Sequence, residues 1–194
     1  MEIIEKLSNG FQIDSLFLLN EYVNVKRILK HHLPAKNLTI QGNLFQTMQE
    51  YEEIVLIWEY DFLHLTFNYD FEFLQFKTCH LEFLSSKANL PQLFNRFLEQ
   101  WTQSKTYPKF QSMMVRLHDP SFNIPTDTIL EGIWHHRLPN NHKLEFKCDY
   151  FWYNLYRMET VHGKYEIRRH ADNQKAILSI ESVDNLFYWN FYVV

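Results

Sequence analysis

Along the last third of the chain, Ile129 to Val194, hydrophobic and polar positions alternate almost without interruption. Leu144, Phe146, Cys148, Tyr150 and Trp152 fall on every second residue, with Lys143, Glu145, Lys147, Asp149 and Phe151 between them. A period of two is the pleat of a strand with one face packed and the other largely wet. The pattern resumes at Tyr165 and Ile167, at Ala176, Leu178 and Ile180, and at Phe187, Trp189, Phe191 and Val193. Turn-forming clusters punctuate it: Pro139-Asn140-Asn141, His162-Gly163, Asp172-Asn173 and Asp184-Asn185. Six strands are thus predicted after Ile129, as an antiparallel meander curling into a barrel or sandwich.

The first two thirds mix periods. Leu18, Tyr22, Val25 and Leu29 follow at three- and four-residue steps, which predicts an amphipathic helix over 15–32. Asp14 or Ser15 would cap it, the cationic run Lys26, Arg27, Lys30 would suit its C-terminal dipole, and Pro34 would stop it. Leu93, Phe94, Phe97, Leu98 and Trp101 make a second, wider stripe over 90–102, with Pro91 in the first turn. Ile54 to Ile57 reads as a buried strand flanked by acids. Leu63, Leu65, Phe67, Tyr69, Phe71 and Phe73 alternate with polar residues, and the alternation resumes at Leu81 and Phe83, as two strands with a turn or bulge near 68–70. Residues 102–128 show the least pattern and are expected to connect the second helix to the meander across one edge. The expected fold is α+β, predominantly antiparallel, with two amphipathic helices. A single domain, 1–194, is expected, in which a helix-containing N-terminal segment (residues 1–128) precedes the meander (residues 129–194).

Composition narrows the function. Hydrophobic residues at 46% suffice for a full core, and the four glycines, Gly10, Gly42, Gly132 and Gly163, are too scattered for a phosphate-cradling loop. The stretch Leu65 to Phe73 lines up with Leu144 to Trp152 as Leu, any, Phe, two any, Asp, aromatic, any, aromatic. Strand alternation alone produces most of that match. The acidic opening Met1 to Glu5 is unlike a signal peptide, and no apolar run spans a membrane. Cys79 and Cys148 fall on apolar strand phases, which predicts two buried thiols, one bridge being the alternative; a cytoplasmic home is expected.

Gly132-Ile133-Trp134 resembles the Gly-x-Trp start of lipocalin-like barrels. The resemblance implies a barrel whose glycine allows a tight bend, whose tryptophan closes one end, and whose interior holds a small apolar ligand. That is the alternative functional expectation.

Catalytic and metal signatures are missing from the sequence. Ten histidines occur, with His31-His32 and His135-His136 adjacent. Adjacent side chains on a strand point to opposite faces, so His135 and His136 cannot share a metal on a regular strand. No His-Glu-x-x-His, Cys-x-x-Cys or Gly-x-Ser-x-Gly occurs. Neither metal nor cofactor is expected, and no residue is singled out as catalytic.

Charge distribution carries the main functional expectation. From Asn37 to Phe76 there is no lysine or arginine, and seven acids lie there: Glu50, Glu52, Glu53, Glu59, Asp61, Asp70 and Glu72. The remainder holds 19 basic and 16 acidic residues, a balance of +3 against −7 for the segment. Tyr51, Trp58 and Tyr60 are interspersed. Aromatic anchors among acids make a surface that steers and holds a cationic partner. The expected contact set is Glu50, Tyr51, Glu52, Glu53, Trp58, Glu59, Tyr60 and Asp61. A protein-binding module that blocks a basic partner such as a toxin, in the manner of immunity proteins and inhibitors, follows from it. A net charge of −4 disfavours nucleic acid as the partner.

Overall fold

The computed structural model describes residues 14–19, 28–29, 35–42, 45, 49, 52–66, 76–85, 89–106, 108–118, 126–139, 143–150, 155–162, 164–183 and 186–194. In chain order the strands are β1 (Ser15–Leu18), β2 (Asn37–Gln41), β3 (Glu59–Thr66), β4 (Lys77–Ser85), β5 (Ser112–His118), β6 (His135–Arg137), β7 (Lys143–Tyr150), β8 (Leu155–His162), β9 (Tyr165–Arg168), β10 (Lys175–Val183) and β11 (Leu186–Val193). Helix α1 is Leu90–Thr102, helix α2 is Thr126–Leu130, and a π-helical turn covers Glu52–Leu56.

Nine strands form one mixed sheet in the order β1-β2-β3-β4-β5-β11-β10-β9-β6. The pairs from β1 to β5 are all parallel, and those from β5 through β11, β10 and β9 to β6 are all antiparallel. β7 and β8 make a separate antiparallel ribbon. This overturns the predominantly antiparallel meander. Strand alternation is blind to direction, which the connections set instead. Residues 19–36, 42–58 and 86–111 are long enough for crossovers, whereas 184–185 permits only a hairpin. The sheet's outermost strands, β1 and β6, are not paired to each other, so the described strands close no barrel.

Register places two apolar rows on one face. Leu16, Leu38, Leu63, Leu81, Met113, Phe191 and Leu178 form the first; Leu18, Ile40, Leu65, Phe83, Val115, Trp189 and Ile180 form the second. α1 lies on this face and spans the segment its apolar stripe predicts. Phe94 meets Trp189 at a ring-centroid distance of 5.3 Å, Phe97 meets Phe191 edge-on at 5.3 Å, and Trp101 meets Phe191 at 5.1 Å. Edge-to-face pairs of this kind add roughly 0.5–1.5 kcal/mol each beyond the area they bury. Asn95 Nδ2 ties α2 to α1 by donating to the Ile129 and Glu131 carbonyls at 2.9 and 2.8 Å.

Four further expectations change. The predicted helix over 15–32 begins as strand β1: the Ser15 hydroxyl accepts from Asn37 Nδ2 at 3.0 Å, and Asp14 pairs with Lys36 at 3.1 Å, so neither residue is a cap. Ile28 and Leu29 are helical, and residues 20–27 and 30–34 lie outside the described residues. The run Ile54 to Ile57 belongs to the π-helical turn and its exit instead of a strand; Val55 is buried and Ile57 is 55% exposed. The weakly patterned stretch 102–128 contains β5, the strand at which parallel pairing gives way to antiparallel. Gly132 does take a positive φ of 72°, but Trp134 is 61% exposed and closes no barrel end. The aligned halves of the internal similarity fall partly outside the described residues. Among the described residues, no helix is long and apolar enough to cross a membrane.

Candidate functional site

The opposite face of the sheet is polar, yet much of it is buried. Its central row runs Phe17, Thr39, His64, Glu82, Met114, Asn190 and Ser179, strand by strand. Thr39, His64, Glu82, Asn190 and Ser179 are each at most 7% exposed. Burying such groups costs free energy unless they are paired, and the middle of the row is paired closely. His64 Nδ1 lies 2.8 Å from Glu82 Oε2, and His64 Nε2 lies 3.1 Å from the Thr66 hydroxyl. Arg116 places its guanidinium on the other Glu82 oxygen, with the Arg116 side chain 36% and the Glu82 side chain 5% exposed. One strand position away, His80 Nδ1 meets the Ser112 hydroxyl at 2.8 Å.

The protonation of Glu82 follows from these contacts. Burial alone pushes its carboxyl up, but the His64 hydrogen bond, the His64 charge and Arg116 together outweigh burial and hold it below the usual carboxylate range. It is therefore an anion at neutral pH. On the same face Thr39 Oγ1, Asn190 Oδ1 and Arg116 Nε are buried without a hydrogen-bond partner, and Glu82 Oε1 meets Arg116 only as an ion pair.

Sequence reasoning alone misses His64, Glu82, Arg116, Thr39 and Asn190. A signal exists all the same. Each of His64, Glu82 and Asn190 sits alone between two large core-phase residues: Leu63 and Leu65, Leu81 and Phe83, Trp189 and Phe191. In a strand with one wet face that is routine; in a strand buried on both faces it marks a polar group held inside.

The acidic residues lie at the other end of β3. Glu52, Glu53, Glu59 and Asp61 are exposed, as is Ile57, while Trp58 is half-buried against the core. Glu59 forms a 3.2 Å ion pair with Lys109, both side chains well exposed, a contact of little energetic weight. Tyr60 turns inward, 3% exposed, and its hydroxyl donates to the Val55 carbonyl at 3.0 Å, closing the π-helical turn onto the strand. Glu50 and Tyr51 lie outside the described residues.

The remaining candidates divide simply. Cys79 is a free, partly exposed thiol, on the apolar phase but near the strand's open end. Burial and the nearby Asp61 and Glu59 push it up, against a smaller opposing pull from Lys109, which disfavours the nucleophilic thiolate. The Cys148 side chain, like His31 and His32, lies outside the described residues. His135 and His136 occupy successive positions of β6, where His135 packs edge-on against Tyr165 at 5.4 Å. Among the described residues, no three His, Cys, Asp or Glu side chains converge as a metal would require. Comparison with protein-family models, with curated proteins and with solved structures gives no significant match.

Proposed function

We propose that the chain is a protein-binding module that occupies and blocks a basic partner, as inhibitors and immunity proteins do, through the acidic surface where the π-helical turn meets β3. The observation that carries this reading is Ile57: a large aliphatic side chain, 55% exposed, within a few residues of the exposed carboxylates Glu52, Glu53, Glu59 and Asp61. An exposed aliphatic anchor close in sequence to four exposed carboxylates, one of them paired with Lys109, combines a desolvated contact with a steering field. The turn is preorganised, since Val55 is buried beneath it and Tyr60 holds the Val55 carbonyl. Tyr60 thus serves the surface by positioning the turn, and Trp58 by its exposed edge. Little ordering entropy is then lost on association. A reducing compartment such as the cytoplasm suits the free Cys79.

The test begins by capturing the partner with the tagged chain and identifying it. Association rates are then measured for wild type, for the charge-reversed variant E52K/E53K/D61K, and for I57S, across a salt series. With a screening length of about 8 Å at physiological ionic strength, wild-type association should slow as salt rises, and the charge-reversed variant should associate at least tenfold more slowly at low salt. I57S should keep the association rate and dissociate at least tenfold faster, since anchors act mainly after encounter. Equal rates for all three folded proteins would mean that this surface is only a solvated face.

A further inference from the structure

The polar face holds a second arrangement, independent of the acidic surface. Glu82, His64 and Thr66 stand in the order carboxylate, imidazole, hydroxyl, joined by contacts of 2.8 and 3.1 Å. Thr66 is the last residue of β3, so the hydroxyl lies at the carboxyl end of a parallel strand, where open sheets place their ligands. We propose that these three residues form an acyl-transfer relay for small uncharged carboxylic esters, with Thr66 Oγ1 as nucleophile and His64 as base.

Charge and geometry together assign the roles. Glu82 is ionised and already carries the Arg116 guanidinium on its second oxygen. In the imidazole tautomer that donates from Nδ1 to Glu82, Nε2 is the acceptor for the Thr66 O–H. In the reaction, Thr66 Oγ1 bonds to the ester carbonyl carbon while its proton passes to His64 Nε2 and the carbonyl pair moves onto oxygen. As that pair returns, the bond to the alcohol oxygen breaks and His64 gives its proton to the leaving alkoxide. Water then enters by the same steps and releases the acid, restoring the hydroxyl. The Arg116 guanidinium, paired with Glu82, favours the ionised form of that carboxylate. An uncharged ester suits a cluster whose own charges are matched.

The probe is p-nitrophenyl acetate, mixed with the full chain in excess ester. The expected result is a burst of about one nitrophenolate per chain, with an acetyl adduct mapped to Thr66 by peptide mass spectrometry. A positioned base contributes roughly 10²–10⁴ in rate, so H64Q should lose the burst rate by at least a hundredfold. T66V, which keeps the shape of threonine, should lose the burst and the adduct while its melting temperature stays near wild type. T66S should retain both, with the adduct on the new hydroxyl. An unchanged burst in T66V, or adducts confined to lysine and histidine side chains, would overturn the proposal.

Discussion

At the scale of single residues, two buried ionisable groups set opposite limits on stability. The Glu82 carboxyl titrates below its unfolded value. Its contribution is therefore complete above the unfolded carboxylate range, near pH 4.3, and is lost as pH falls through the lower folded value. E82Q should flatten the acid limb of a melting-temperature profile, and at pH 7 it should cost roughly 3 kcal/mol by leaving His64 and Arg116 without their shared anion. Tyr60 behaves in the other sense. Burial raises its hydroxyl well above the usual tyrosine value, so its contribution is complete below about pH 10 and declines as pH rises beyond it. Y60F should abolish that alkaline decline, at a neutral-pH cost of roughly 1–2 kcal/mol for the Val55 carbonyl left without its donor. Denaturant melts of both variants from pH 3 to 11 test the two slopes together. Neither role is legible in the sequence. His64 and Thr66 are visible there as the polar phase of a strand, but which strand lies beside them, and brings Glu82, depends on pairings that alternation does not encode.

At the scale of elements, legibility follows the strength of the local pattern. The α1 stripe is wide, starts at a proline suited to a first turn, and has no competing reading; the structure places Phe94, Phe97 and Trp101 as that stripe requires. Phe97 touches Phe94, Phe110 and Phe191 at centroid distances of 5.3–6.0 Å. Phe97→Ala should therefore cost roughly 3–5 kcal/mol, and the denaturation midpoint of the folded variant measures it. Ser15 to Leu18 shows the opposite case. Leu18 and Leu29 are both buried and fit a helical step in sequence, yet the short apolar run Leu16-Phe17-Leu18 fits a strand equally, and pairing with β2 decides the matter. At the π-helical turn, Val55 is buried and Ile57, just past its end, is exposed; residues two apart share a face in a strand, so this burial breaks the strand period that the apolar run Ile54 to Ile57 suggests.

For the whole molecule, the antiparallel character of the C-terminal strands is legible because hairpins are local. β10 and β11 pair across two residues, Val183 opposite Leu186. The parallel half is not, since each of its pairings crosses an intervening segment. The seam between the halves, β5 against β11, joins residues as far apart as Ser112 and Tyr192. No window of sequence contains both.

That seam has a consequence for how the protein is made. β11 lies inside the sheet between β5 and β10, yet it is synthesised long after β5. Once β5 has been made, about 75 further residues must follow to complete β11, roughly 4–15 s at ordinary translation rates. During that interval the nascent chain carries an unpaired β5 edge and an α1 face that lacks Trp189 and Phe191. An open edge beside uncovered aromatic rings is a template for association between neighbouring nascent chains. A chain truncated after Asp184 should accumulate as insoluble material, and co-expression of residues 185–194 as a separate peptide should return a portion of it to solution. Soluble fractions measured with and without that peptide test the idea, and a fully soluble truncated chain would contradict it.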